Sequence, residues 1–274
     1  MLLECDSHAL GDTVAVGVLP EIELGLRVAP GDTLLLTDSL EPANPTRPGD
    51  LHRIGCSLPE VFGRVRTGER VWFDDGKIGG VITACSADVL EVGSTEARRG
   101  GSRLKSDKGI NFPDSDLQLD ALTAKDLEDL DFVARHADVV NVSFVRDTSD
   151  VEVVQRELAA RHAGDVGIVL KIENVRAFER LPELLLTAMR SRKVGVMIAR
   201  GDLAVEVGFE RLAEVQEEIL WACEAAHVPV IWATQVLETL ARTGRPSRAE
   251  ITDAAMCDRA ECVMLNKGPY VGDA

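Results

Sequence analysis

Paired cysteines are missing from this chain. Its six cysteines, Cys5, Cys56, Cys85, Cys223, Cys257 and Cys262, contain no CxxC pair, and none of its five histidines clusters near them. That spacing gives no support to a zinc site and none to a disulfide framework, so the thiols are expected to be reduced and mostly to fill core space. An excess of positive charge is missing too. Lys and Arg total 30 against 46 Asp and Glu, for a net charge of -16 and a pI near 4.8, which argues against nonspecific binding of nucleic acid. An anionic small molecule remains compatible only where lysine, arginine, backbone N–H or metal overrides the global field locally. No apolar run approaches the roughly 20 residues of a membrane span. The start "MLLECDSHAL" carries Glu4 and Asp6 where a secretory signal carries Lys or Arg, so the expected setting is cytoplasmic, without a membrane partner.

What is present is an ordinary globular composition: 274 residues, 45% hydrophobic, with mean hydropathy +0.02. The pattern changes along the chain. From Val28 to about Asp107 short apolar stretches such as "DTLLLTD" and "ERVWF" alternate with Gly, Pro and Asp. "RVWFDDGKIGGVI" reads as a hairpin, because Asp75-Gly76 tolerates the positive φ of a type I′ turn and the flanks are rich in β-branched and aromatic residues. The Pro-rich "SLEPANPTRPGD" reads as an exposed loop.

From about Leu117 the grammar becomes helix and apolar strand in alternation. The strands are "DVVNVSFV", "GIVLKIE", "VGVMIA", "VPVIWAT" and "ECVMLN", near-continuous runs expected of parallel strands covered on both faces. "ERLAEVQEEILWACEAA" places Leu212, Val215, Ile219, Cys223 and Ala226 on one helical face. Thr123 with Asp126, and Ser247 with Glu250, stand at capping-box spacing. The sequon at Asn141 falls in one of the strands expected to be buried and is set aside for that reason.

Polar residues gather where these strands end: Lys171 and Glu173, then Arg200, Gly201 and Asp202, then Thr234, then Asn266 and Lys267. Chemistry spread over several strand ends favours a (β/α)8 barrel rim over the single crevice of a doubly wound sheet. Lys171 and Glu173 are two apart and share a strand face. Glu173 and Asp202 supply hard carboxylate oxygens suited to Mg2+. Gly201 lets the backbone come close enough for amides around Arg200–Asp202 to hold a small carboxylate, and Lys171 would stabilise charge on a group in transfer. On residue types alone, a rim ion pair between Glu173 and Lys171 or Arg200 explains the same residues equally well.

"LKIEN", "VMIARGDLAVE", "PVIWATQVLETL" and "RPSRAEITDAAM", in this order, resemble the successive barrel-strand motifs of the pyruvate kinase family. "CSLPEVF" with "VRTGERVWFDDGKI" resembles its lid, and "DKGINFPDSDLQLDALTAKDLEDLDF" followed by "SFVR" resembles the return to the barrel. The resemblance implies a partial TIM barrel of about five of the eight strands with a small all-β lid. The implied divisions are an unmatched segment at 1–27, the lid at 28–109 and the catalytic barrel at 110–274. It also implies Mg2+-dependent phosphoryl transfer (Mn2+ serving as well) from phosphoenolpyruvate to ADP, giving ATP and pyruvate. Lys171 is then the catalytic cation, Glu173 and Asp202 the metal ligands, and Arg200, Gly201, Asp202 and Thr234 the seat of the pyruvate moiety. Thr234 also has a catalytic part, and Phe144 lies beside the lysine.

The departures from the family are equally concrete. The first 27 residues show neither the Asn-x-Ser motif nor the Asp-Thr-Lys-Gly-Pro-type segment, so the family's K+ ligands have no counterpart in the motifs. "MLNKGPY" replaces the family's Ser-Gly-Glu-Thr after the last strand, which points to a divergent bacterial branch, and Ala204 replaces a usual Gly. Lys267 stands either as a substitute cation or as a solvated lysine. Five strands without the other three would expose two edges and an apolar interior, so closure by a homo-oligomer or by strands recruited from the N-terminus is expected. Two other functions fit the same residues: a Mg2+-dependent lyase or aldolase acting on a pyruvate enolate, and a noncatalytic relic that binds such acids.

Overall fold

The computed structural model describes residues 25–41 and 52–274. Most of the segment 1–27, with Glu4, Cys5 and Asp6, and most of the Pro-rich stretch at 39–50 lie outside the described residues.

The first half of the chain is β. It forms β1 (Leu26–Val28), β2 (Thr33–Thr37), β3 (His52–Gly55), β4 (Arg70–Phe73), β5 (Ile78–Cys85), β6 (Val89–Glu96), β7 (Ser102–Leu104) and β8 (Ile110–Asn111). Six of them make one sheet in the order β3-β2-β6-β5-β4-β8, while β1 pairs with β7. All its pairings are antiparallel except β2 with β3. Alternation sets the inner face: Leu34, Leu36, Leu90 and Val92 are fully buried together with Val71 and Ile82, each side chain contributing about 1.5–3 kcal/mol by leaving water. The β4–β5 hairpin closes as its sequence predicts. Lys77 N–H donates to the Asp74 carbonyl at 3.2 Å, and φ is +55° at Asp75 and +77° at Gly76, the left-handed pair that a type I′ turn needs.

The second half alternates. Its strands are β9 (Val139–Val142), β10 (Gly167–Ile172), β11 (Val194–Ala199), β12 (Val230–Val236) and β13 (Cys262–Leu265). Its helices are α1 (Ala124–His136), α2 (Thr148–Ala160), α3 (Val175–Glu179), α4 (Leu181–Ala188), α5 (Arg200–Val207), α6 (Leu212–Ala226), α7 (Glu238–Thr243) and α8 (Arg248–Met256). The strands lie side by side in chain order and all pair in parallel, so every strand ends at the same side of the sheet. This is a five-stranded half-barrel with helices, accompanied by a separate, mostly antiparallel β-sheet.

The helices cover one face. Ile168, Leu170 and Ile172 of β10, Val196 and Ile198 of β11, and Trp232 of β12 join the main core with Val215, Ile219 and Cys223 of α6. The opposite face carries only a small cluster of Val169, Met197 and Ala233, with Ile231 against it. Both expected capping boxes are formed, Thr123 with Asp126 and Ser247 with Glu250. A third, Asp147 with Asp150, starts α2 at the same spacing.

The expectation that all five runs are covered on both faces holds only for the three central strands. Every residue of β13 is exposed, and Val139 of β9 is 48% exposed, because these strands are the edges of the sheet. Asn141 is therefore exposed rather than buried. "DVVNVSFV" stops being strand at Val142, since Phe144 adopts φ +50°. Core filling describes Cys56 and Cys223, with Cys257 partly buried against the main core; Cys85 and Cys262 are exposed. The segment after β13 folds back on α7, where Tyr270 N–H donates to the Ala241 carbonyl at 3.0 Å. Lys267 is exposed.

Candidate functional site

Strand alternation puts Lys171 on the face of β10 away from the helices, and Glu173 follows directly at its end. The two side chains meet: Lys171 Nζ lies 2.7 Å from Glu173 Oε1 and donates to Ser143 Oγ at 2.9 Å. Glu173 is 2% exposed. Its second oxygen accepts the Phe144 N–H at 2.6 Å, a bond made possible by the left-handed turn that Phe144 takes just after β9. The Phe144 ring itself is half exposed. Burial pushes the Glu173 carboxyl above its ordinary range, outweighing the Lys171 ammonium, and the Asp202 charge adds to that push.

Strand β11 passes into α5 with no connecting loop: Ala199 ends one and Arg200 begins the other. Asp202 thereby stands in the first turn of α5, above the end of β11. Burial raises its pKa as well, against the hydrogen bond from Asn111; the Asp75 charge at the hairpin tip adds to the rise and Lys171 opposes it. Lys171, Glu173 and Asp202 therefore form one electrostatic cluster.

Thr234 comes from a break in β12, where the pairing with β13 shifts register between Trp232 and Val236. Its φ is +72° and that of Gln235 is +56°, a costly conformation for a β-branched residue. The fold holds it with Arg200. That guanidinium, 9% exposed, donates from Nε to the Ala233 carbonyl at 2.8 Å and from a terminal nitrogen to the Thr234 carbonyl at 2.5 Å. It also pairs with Asp253 of α8 and stacks 4.6 Å from the Trp232 ring centroid. The side chain of Arg200 is thus committed to the fold. Gly201 is required by contact: a Cβ there would sit 2.9 Å from Thr234 Cγ2.

Three participants were not singled out from the sequence. Ser143 adjoins Phe144 in the "SFVR" stretch. Asn111 lies within "DKGINFPD" and is 5% exposed; its amide donates to Asp202 Oδ1 at 3.2 Å and to Glu206 Oε1 at 3.4 Å. Glu206 stands one helical turn beyond Asp202 in "ARGDLAVE", and burial pushes its pKa up to about 7. The hairpin of the β-sheet also rests on α5, where a Cβ on Gly76 would meet Val205 Cγ2 at 2.9 Å.

Among the described residues no group of three or more His, Cys, Asp or Glu is arranged to hold a metal. Glu173 and Asp202 form a smaller donor set of two desolvated carboxylates. Hard oxygens without nitrogen or sulfur suit Mg2+ or Mn2+, which leave their remaining positions to water and substrate. Cavities of about 430 and 350 Å3 open at the other end of the sheet, beside the beginnings of β12 and β10, away from this cluster. Among the described residues no helix is long and apolar enough to cross a membrane.

A family model described as pyruvate kinase, barrel domain, matches residues 10–273, a span that opens upstream of the first motif read from the sequence. The chain is 35% identical over 262 residues to pyruvate kinase PKLR of Homo sapiens, covering 93% of this chain and 43% of that protein. It is 35% identical over 261 residues to the pyruvate kinase of Dictyostelium discoideum, covering 93% and 50%. With the pyruvate kinase of Bacillus licheniformis it shares 36% identity over 228 residues, covering 82% and 38%. The chain thus spans half or less of the length of these relatives.

Proposed function

The chain belongs to the pyruvate kinase family, and from that premise we propose that it carries the metal- and pyruvate-binding part of a site that transfers phosphate from phosphoenolpyruvate to ADP. The observation that carries this reading is the cluster of Lys171, Glu173 and Asp202 on adjoining strand ends, with one ammonium, one buried carboxylate and one part-buried carboxylate in mutual contact or influence.

In this reading Glu173 and Asp202 hold Mg2+ or Mn2+, which when bound neutralises phosphate charge and fixes the substrate oxygens. Lys171 stabilises the phosphoryl group in transfer, since such reactions depend on position and electrostatics. The Ser143 hydroxyl and Glu173 hold its ammonium in place. The backbone of Arg200, Gly201 and Asp202 receives the pyruvate carboxylate at the start of α5, with Thr234 beside it. Thr234 also hands a proton to the pyruvate enolate in this reading. Phe144 flanks the lysine. Residues 28–109 serve as a lid that closes over the nucleotide and excludes water, and residues 110–274 as the catalytic part. K+ belongs to the same reading through the family, although the motifs of this chain show no ligands for it. A cytoplasmic homo-oligomer, whose contacts cover the exposed β9 and β13, completes it.

The test is ATP formation from phosphoenolpyruvate, ADP and Mg2+, with Asp202→Ala and Lys171→Ala compared to the parent chain. Turnover that disappears in both variants supports the assignment. Turnover that survives either substitution overturns it for that residue.

A further inference from the structure

Helix α5 receives two different parts of the chain on one face, and Asn111 is where they meet. β8 is only two residues long and forms the edge of the six-stranded sheet, paired to β4 through Trp72↔Asn111 and Phe73↔Ile110. Asn111 is its last residue, buried, and its side chain leaves the sheet to reach α5. The amide nitrogen has two hydrogens, and two acceptors lie in reach: Asp202 Oδ1 at 3.2 Å and Glu206 Oε1 at 3.4 Å. Asp202 and Glu206 are four apart on the helix, so they share a face, where like charges repel. Both are part-buried. A lysine or arginine at this point would relieve the repulsion but also neutralise Asp202. A neutral amide orients the carboxylates while leaving Asp202 its charge.

We infer that Asn111 is a positioning residue for Asp202, and that one shared amide makes docking of the β-sheet on α5 and aim of the Asp202 carboxylate the same interaction. This rests on the reading of Asp202 as a metal ligand. With Oδ1 held by the amide, the carboxylate is fixed in rotation and Oδ2 is left for the ion. Partners that orient metal ligands in this way typically account for 10- to 100-fold in affinity. The same bond, with the Gly76 turn against Val205, fastens the edge strand to the helix that carries the site. When the sheet lifts away, Asp202 loses its orienting donor.

The test uses Mn2+ alone, titrated into the chain and followed by the electron paramagnetic resonance of the free ion, together with amide hydrogen exchange of β4 and β8. Asn111→Leu keeps the branched skeleton, with bulkier ends, and removes the donor; Asn111→Ser, too short to reach either carboxylate, replaces it where the leucine variant fails to fold. Asp202→Ala is the reference. The expected result is a Mn2+ dissociation constant raised roughly 10-fold or more in the Asn111 variant, with faster exchange at β8 and cooperative unfolding retained. Parent-like Mn2+ affinity in a folded Asn111 variant, when Asp202→Ala has lost binding, overturns the inference and leaves the site intact. Parent-like affinity in Asp202→Ala overturns the metal assignment itself.

Discussion

Glu206→Gln isolates a single part-buried charge. The carboxyl has an ordinary pKa of 4.5 and is pushed up to about 7 in the fold, first by burial; the Asn111 amide and Arg70 favour its ionised form, while Asp202 and Asp114 oppose it. The folded state therefore keeps a proton that the unfolded chain has already released. Below pH 4.5 both states are protonated and the group costs nothing. Between pH 4.5 and about 7 the folded state binds more protons than the unfolded one, so stability falls as pH rises. Above 7 the penalty is complete, and at about 1.4 kcal/mol per pH unit it amounts to about 3 kcal/mol. Glutamine keeps a carbonyl oxygen for the Asn111 amide and cannot ionise. Urea denaturation of parent and variant, with a chelator present, should give equal stabilities near pH 4.5 and a variant more stable by about 3 kcal/mol near pH 8. Taking the difference between the two proteins removes the titration of groups unaffected by the substitution. A difference that stays constant over this window, or one that favours the parent as pH rises, would refute the argument.

Arg200→Lys keeps the charge but loses the planar fork that reaches two carbonyls and a carboxylate at once. A loss of about 3 kcal/mol is expected by urea denaturation, and a drop below 1 kcal/mol would show that Thr234 needs no such clamp. Gly201→Ala places a methyl 2.9 Å from Thr234 Cγ2, against a residue whose backbone carbonyl Arg200 holds. It should cost about 1–3 kcal/mol and weaken pyruvate binding, measured by calorimetry in the presence of Mg2+; unchanged affinity would remove Gly201 from the seat of the carboxylate.

The sequence made the half-barrel legible because its strands are long apolar runs at regular spacing and its motifs sit at strand ends. The type I′ turn at Asp75-Gly76 and the capping boxes of α1 and α8 were legible for a local reason: each depends on residues within four positions of one another. The Asp147 box was equally readable by spacing. Three other features depend on position in the sheet or on distant partners. "DVVNVSFV" and "ECVMLN" look like central strands, because an apolar run does not record whether a neighbour lies on its other side. The turn at Thr234 contradicts the preference of a β-branched residue and is held by Arg200, 34 positions away. Asn111 carries no periodic signal in a two-residue strand, and its acceptors lie 91 and 95 positions further on.

Arg200 and Asn111 together explain why the site can occupy the rim of an open sheet. Charged groups at such a rim would ordinarily be mobile and hydrated, with little preorganisation. Here each is held by a group that does not compete for substrate. Arg200 turns its guanidinium inward, onto the carbonyls at the Thr234 turn and onto Asp253, and so sets both the end of β12 and the start of α5. Asn111 holds Asp202 from the opposite side of the same helix. Because β11 enters α5 without a loop, a displacement of the helix start moves Gly201 and Asp202 as one body. The proposed carboxylate seat and the proposed metal ligand therefore keep their spacing even where the sheet edges at β9 and β13 are uncovered; a perturbation at β9 should reach the site through β10, which carries Lys171 and Glu173, and one at β13 through β12 and the Thr234 turn that Arg200 clamps.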